Sequence, residues 1–306
     1  MKKKLSIVIP SFNRIDFLKL NLEEIIEEAI VFDIRVILSQ DGRNEKIKRF
    51  SKQLASRYEN FHFIEHTERL GHDNNFLKCF DLHDSEYTWI LGDSISIHEG
   101  SIREIVDVID KHSPRIIGLN ADHREIDSDQ KKYEDPTFIF AKFAWHLTYT
   151  GSVVYSRSAL EIIDTSNFSR APDFPHTAII FHSLAKDCNF FWINKNLIYS
   201  KQKKVSYWYK NAIETFIDNW EKAVYSLPNT YEDLKQDVIL QHSYNAGVFS
   251  FKSLLKMRFM GYLNLRLYLS NMSKLASHSR LSSVTLFSIA IFPRFMIRAF
   301  LFLFRK

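Results

Sequence analysis

Hydrophobic and polar positions follow two rhythms over the first 120 residues. Short apolar runs rich in β-branched side chains recur at 5–9, 34–38, 61–64, 87–91 and 116–119. Between them lie longer stretches whose apolar residues keep helical spacing, at 16–30, 45–58, 74–82 and 101–111. In the first of these, Phe17, Leu20, Ile25 and Ile26 share one side. Short β-rich runs predict strands, and recurrence at helical spacing predicts helices. Their alternation predicts βαβ crossovers, and so a mainly parallel α/β sheet with helices on both faces. Pro10 directly follows the first run and predicts its end.

The rhythm changes after residue 120. Residues 122–149 read as irregular, first charged and then aromatic. Residues 151–155 and 190–193 predict strands, 158–164 a short helix and 176–186 a longer one. From Asn211 onward almost everything has helical spacing. The expected division is an α/β domain over 1–210 and a helical region over 211–306, with no internal repeat and no low-complexity linker.

Ligands on open parallel sheets bind beyond the carboxyl ends of the strands. Here three such ends are polar: Ser11-Phe12-Asn13-Arg14, Gln40-Asp41-Gly42 and Gly92-Asp93-Ser94. Their convergence in one crevice is the strongest functional signal in the pattern. The chain has no Gly-x-Gly-x-x-Gly, no P-loop, no Cys-x-x-Cys and no nucleophile elbow. His62, His66 and His242 show no metal-ligand spacing, and Cys79 and Cys188 read as lone buried thiols of a reducing compartment.

Ile7-Val8-Ile9-Pro10-Ser11-Phe12-Asn13-Arg14, followed by a helix, resembles the opening of family-2 glycosyltransferases of the GT-A (Rossmann-like) fold. Ile37-Leu38-Ser39-Gln40-Asp41-Gly42 is similar to their second strand, and Arg69-Leu70-Gly71-His72-Asp73-Asn74-Asn75 to the loop before their third helix. Trp89-Ile90-Leu91-Gly92-Asp93 stands where the family carries its acidic metal motif. The resemblance covers roughly residues 4–200, and the Leu-Gly-Asp form is similar to the abequosyltransferase-like branch of bacterial O-antigen and capsule enzymes.

The resemblance implies a set of roles. Pro10, Ser11, Phe12, Asn13, Arg14, Asp41, Asp73, Asn75, Gly92 and Asp93 are the expected nucleotide-binding residues. Asp41 would accept a hydrogen bond from a uracil or thymine edge; the alternative is that Asp41-Gly42 is only a turn. Asn13 is either a ligand or the cap of the following helix, and Asp73 is either a donor-site residue or a cap. Asp93 is the expected metal ligand for Mg²⁺ or Mn²⁺, but Ser94 and Ile95 follow where further carboxylates are usual. A metal-independent site, with Arg or Lys balancing the leaving diphosphate, is the alternative. The resemblance also implies a general base just before a helix. Asp173 fits, and His176 is the runner-up. Trp145, His146, Tyr149 and Gly151 fall on the expected acceptor-side loop.

Composition adds a division of charge. Of the net +5, residues 246–306 carry ten Lys and Arg and no acid, which leaves the first 245 residues at −5. An acidic body with a basic tail argues against nucleic acid as a partner. The tail holds two apolar stretches, 249–269 and 284–304, the second long enough to span a bilayer but interrupted by Pro293, Arg294 and Arg298. A helical membrane-associating region on an anionic membrane surface is the expectation. The apolar run after Met1-Lys2-Lys3-Lys4 is too short for a signal peptide, so a cytoplasmic protein, peripheral on the inner face of the cell membrane, is expected. The expected reaction is inverting transfer of a sugar from a UDP-, dTDP- or CDP-linked donor to a glycan or lipid-linked acceptor. A non-catalytic nucleotide- or partner-binding module of the same fold is the alternative, and a nucleotidyltransferase is disfavoured because no Gly-rich phosphate loop is present.

Overall fold

The computed structural model describes residues 3–82, 85–161, 170–200 and 207–296. Nine strands among the described residues form one sheet: β1 (Leu5–Ser11), β2 (Arg35–Gln40), β3 (Phe61–Glu65), β4 (Tyr87–Ile90), β5 (Ser96–Ile97), β6 (Ile116–Ala121), β7 (Lys131–Tyr133), β8 (Val153–Ser156) and β9 (Phe190–Tyr199). Their order is β3-β2-β1-β4-β8-β6-β9, with the short β5 and β7 both added to β9. Strand β1 runs parallel to β2 and β4, β2 to β3, and β6 to β9; β8 is antiparallel to both β4 and β6. The short β5 and β7 run antiparallel to β9, so the sheet is mixed, with its longer ladders parallel, and the α/β class is as expected.

Side-chain alternation builds two faces. Leu5, Ile7 and Ile9 of β1 point into one core with Leu18, Leu22 and Ile25 of α1 (Ile15–Val31), Ile47 and Leu54 of α2 (Glu45–Arg57), and Ile102 and Ile105 of α4 (Ser101–His112). Val8 points the other way, onto Phe76 of α3 (His72–Lys78). Further along that second face, Ile116, Phe190 and Trp192 share a core with α5 (Pro136–Leu147), the short α6 (Arg157–Glu161) and α7 (Pro175–Lys186). Gly118 is required here: a Cβ would lie 2.5 Å from Phe190 Cζ and 2.8 Å from Trp192 Cε3. Overpacking of that kind typically costs about 1–3 kcal/mol.

Pro10 does not end β1; the strand continues to Ser11. The Val8 carbonyl accepts from Leu91 N on the β4 side, so Pro10, two residues on, also faces that side, where the β1–β4 ladder has ended. Its missing N–H is thus not needed by the sheet. A second difference is α5, inside the stretch read as irregular. Its residues are buried on almost every side, so no polar face marks a period. The available signal was Asp135-Pro136: the Asp135 carboxylate accepts from Thr137 N and Phe138 N, and Pro136 takes the first helical turn.

The sheet's second core continues past residue 210, taking in Trp220 and Val224 of α8 (Trp220–Tyr225) and Val238 and Ile239 of α9 (Lys235–Asn245). A separate core gathers Phe249 with Leu254 of α10 (Phe251–Met260), Tyr268 of α11 (Leu265–Ser270), Leu275 of α12 (Met272–His278) and Leu286 of α13 (Ser283–Ile291). Helix α13 ends before Pro293, and among the described residues no helix is long and apolar enough to cross a membrane. Two tail arginines are used internally: Arg258 donates to the carbonyls of Phe292 and Leu263, and Arg294 to that of Phe259. Residues 297–306, the rest of the expected amphipathic stretch, lie outside the described residues.

Candidate active site

The crevice is built from strand ends. At the end of β1, Ser11 Oγ donates to Asp93 Oδ2 at 3.1 Å, and Arg14 Nη1 donates to Asp93 Oδ1 at 2.7 Å. Asp93 is buried. Burial raises its proton affinity; the Arg14 charge, the Ser11 hydroxyl and the Phe12 N–H pull it back, with burial the larger effect. Asn21, a buried polar residue on the apolar side of α1, donates to the Asp93 carbonyl at 3.0 Å and fixes the turn after β4. Sequence reading passed over Asn21, although an Asn flanked by Leu20 and Leu22 was the visible signal.

Asn13 adopts a left-handed backbone (φ 56°) and is not the cap of α1. Arg14 takes that position, while Asn13 Oδ1 accepts from Asn44 Nδ2 at 2.7 Å. Phe12 is exposed, with the Arg69 guanidinium 4.2 Å above its ring. Asp41 is buried, and both its oxygens accept backbone N–H groups of the loop before α3: Leu70 at 2.5 Å and Gly71 at 3.1 Å. Asp41 is thus more than a turn residue, since it fixes the loop that carries Arg69. Asn75, also buried, accepts from Ser39 Oγ at 3.0 Å and ties α3 to β2. Its Oδ1 is thereby committed to the fold.

Asp73 does not cap α3. Its Oδ1 pairs with His72 Nδ1 at 2.8 Å, and its Oδ2 accepts the Asp173 N–H at 2.9 Å, across 100 residues of chain. Burial opposes ionisation of Asp73, but these partners outweigh it and hold the carboxyl below its ordinary range. The Asp73 hydrogen bond raises His72, and the charges of Asp173 and Asp93 add to the effect. One carboxylate, that of Asp73, contacts the exposed imidazole, and the other two act on it only through their charge. Asp173 itself is partly buried, sits at φ 64°, and accepts from Asn219 Nδ2 at 2.9 Å. Neither His72 nor Asn219 was singled out from the sequence as a site residue.

Several expected residues lie elsewhere. His176 is buried between Phe76 and Phe174, and its Nε2 donates to the Thr148 carbonyl at 3.1 Å. Burial holds it down to about 4, and the ring packs in the core rather than facing the crevice. Trp145 and His146 are on helix α5, not on a loop, and both are buried. The two ring nitrogens of His146 lie 2.8 Å from the carbonyls of Leu119 and Arg124, bracing the end of β6. Tyr149 is partly buried against the first core, with Arg124 5.5 Å from its ring centroid. Gly151 (φ 106°) contributes backbone: its carbonyl accepts from Trp89 Nε1 at 2.7 Å, and a Cβ would meet Ile95 at 2.9 Å. A Cβ on Gly92 would also crowd Ile95, at 3.3 Å. A separate cavity of about 600 Å³ lies beside the end of β6 and the middle of β9, lined by His98, Asp122, Glu125, Asp127, Lys195 and Asn196 among others, and by neither Asp93 nor Asp173.

The sequence pattern of glycosyl transferase family 2 matches residues 6–171, more than half of the chain. The chain belongs to glycosyl transferase family 2. The α/β architecture of this glycosyltransferase is the GT-A fold, with a helical C-terminal region. It is similar to Staphylococcus aureus TarS 1–349, at 11% identity and a TM-score of 0.57 over 97% of this chain and 91% of that one. It is also similar to the mannosyltransferase PcManGT of Pyrobaculum calidifontis in complex with GDP-Man and Mn²⁺, at 14% identity and a TM-score of 0.59 over 100% of this chain and 88% of that one. A TarS 1–349 complex with UDP-GlcNAc matches at 10% identity and a TM-score of 0.58, over 97% and 92% of the two chains. No curated protein sequence matches the chain.

A divalent cation is chemically compatible with a glycosyltransferase of this fold, but the donor set here fits one poorly. Asp93 is the single carboxylate of its motif, and both its oxygens are engaged by Arg14 and Ser11. Among the described residues no three His, Cys, Asp or Glu side chains gather to hold a metal ion. The positive charge facing Asp93 is the protein's own Arg14 guanidinium.

Proposed function

We propose that this glycosyltransferase moves a sugar, with inversion, from a nucleotide-diphosphate donor to a hydroxyl of a glycan or lipid-linked acceptor in bacterial surface-polysaccharide synthesis. The observation that carries the reading is the pairing of two unlike carboxylates around one crevice. Asp93 is buried, held by Ser11 and Arg14 at the end of β4, where the resemblance expects the donor diphosphate. Asp173 is more open and is pinned by Asp73 and Asn219, where the resemblance expects the base. In this reading Phe12, Arg69 and the Asp41-held loop flank the nucleotide. Arg14 and His72 offset the charge that develops on the leaving diphosphate. Asp173 takes the proton of the attacking hydroxyl as that oxygen bonds to the anomeric carbon and the diphosphate departs.

The complexes with UDP-GlcNAc, with UDP and with GDP-Man among the structural neighbours support a nucleotide-linked donor. A hexosyl or deoxyhexosyl donor of the abequosyltransferase-like branch is the narrower form of the proposal. The exposed apolar residues Phe251, Leu265, Leu269, Val284 and Phe295, set among Lys252, Arg266 and Arg280, support peripheral attachment to an anionic inner membrane face. The test is calorimetric titration with UDP, dTDP, CDP and GDP. Micromolar binding of one of them, weakened at least tenfold in Asp93→Ala and not in Asp173→Ala, supports the reading; binding of none contradicts it.

A further inference from the structure

Asp173 owes its conformation to groups far from it in sequence. A non-glycine residue at φ 64° is held only when its surroundings determine it. On one side its N–H is taken by Asp73, 100 residues earlier. On the other, its Oδ2 is taken by Asn219, 46 residues later, and Oδ1 accepts no hydrogen bond among the described residues. Asn219 closes a π-helical segment, Glu214–Asn219, that leads into α8. The wider turn of a π-helix re-aims the side chains at its end, and such segments recur at functional sites. The residues next in chain lock the register: Phe174 and the fully buried Trp220 pack edge to face with ring centroids 5.1 Å apart. Lys222 Nζ lies 3.5 Å from Asn219 Oδ1, which orients the amide so that its Nδ2 faces Asp173. Lys274 of α12 pairs with Asp218, the neighbouring residue, at 2.5 Å.

We infer that Asn219 is a positioning residue for Asp173: its Nδ2 occupies one carboxylate oxygen and aims the other at the acceptor hydroxyl. The helical region beyond residue 210 is thereby part of the reactive machinery. This rests on the reading of Asp173 as the base. Asp73 of α3 and Asn219, next to α8, thus meet at Asp173, one on its N–H and the other on its carboxylate.

The experiment compares Asn219→Asp and Asn219→Ala with wild type. Asn219→Asp keeps shape and volume but replaces the donor with a second carboxylate. Nucleoside diphosphate release from UDP-GlcNAc and GDP-mannose, with water as acceptor, is followed across pH, and thermal unfolding checks that each variant folds. The expected result is at least a tenfold fall in kcat in both variants, with donor KM within about twofold of wild type. In Asn219→Asp the acidic limb of the pH profile also moves up by about one unit, as like charges dictate. A folded Asn219→Asp with wild-type kcat and pH profile overturns the inference, because a packing role tolerates the isostere. If wild type releases no nucleotide from either donor, the proposed function fails on its own. The ¹³Cγ titration of Asp173 then decides this inference: an upward-moved midpoint in Asn219→Asp supports it, and an unmoved one overturns it.

Discussion

Arg14 Nη1 lies 2.7 Å from Asp93 Oδ1, so the buried carboxylate at the end of β4 carries its own counter-ion. Replacing Arg14 by Met leaves that carboxylate uncompensated in a site where burial already favours the protonated form. The expected cost in stability is about 1–3 kcal/mol, below the range for a fully buried pair because Arg14 is partly solvated. Donor affinity should fall at least tenfold in Arg14→Met and recover in part with Mn²⁺, since Asp93 is then free to bind a cation. In wild type a chelator should change donor affinity less than about threefold. Titration calorimetry with and without chelator reads both effects; loss of wild-type binding on chelation would reject the self-supplied counter-ion.

Asp41 holds Leu70 N and Gly71 N together. Hydrogen bonds to a charged acceptor contribute about 1.5–3 kcal/mol each. Asp41→Ala should therefore loosen the loop carrying Arg69, raise hydrogen exchange at residues 70 and 71, and weaken nucleotide binding without unfolding the sheet. Faster exchange with unchanged nucleotide affinity would leave Asp41 a clamp only and remove it from base recognition.

The His72–Asp73 pair gives a pH signature. His72 is raised above the ordinary histidine value of 6.5, so its contribution is complete below that value and is lost as pH rises through the raised one. Asp73 is lowered below 3.8, so its contribution is present above that value and lost as pH falls through the depressed one. The pair should add most between about pH 4 and 6.5, and only about 0.2–1 kcal/mol because His72 is exposed. The difference in Tm between wild type and His72→Ala, scanned from pH 3 to 9, should peak in that window. A pH-independent difference would contradict the pairing.

Most of the sheet was legible in the sequence because its strands are short apolar runs cut off by polar ends. Helix α5 was not, because a helix buried all round shows no periodic polar face. At the site, strand-end chemistry pointed to Ser11, Arg14, Asp41 and Asp93, and the structure joins Ser11 and Arg14 to Asp93 directly. Asp73 and Asp173 were each singled out from the sequence, but nothing in it joined them, since their contact spans 100 residues. Asn219 was invisible for the same reason, and because its direction depends on a π-helical turn that no residue pattern announces. Trp145 and His146 were placed on an apparent loop and His176 at the start of a helix beside Asp173, whereas all three are core.

The exposed apolar side chains of the C-terminal helices predict lipid binding. Deleting residues 280–306 should release at least half of the protein from vesicles rich in anionic lipid at low salt. The remainder should come off as salt screens Lys252 and Arg266. Arg258 and Arg294 should contribute little, because each is bound to backbone carbonyls. Failure of the full chain to float with such vesicles would make this surface a packing or assembly face.

The division of labour between Asp93 and Asp173 is the centre of the account. It is tested by following donor consumption by ¹H NMR with wild type, Asp93→Ala and Asp173→Ala, using the nucleotide sugar that binds most tightly and measuring its Kd for each protein. Both variants should lose at least 100-fold in turnover, in line with the ~10²–10⁴-fold worth of a positioned base for Asp173. The donor Kd should rise at least tenfold in Asp93→Ala and stay within about twofold of wild type in Asp173→Ala. Wild-type turnover in a folded Asp173→Ala, or unchanged donor affinity in Asp93→Ala, would contradict the account.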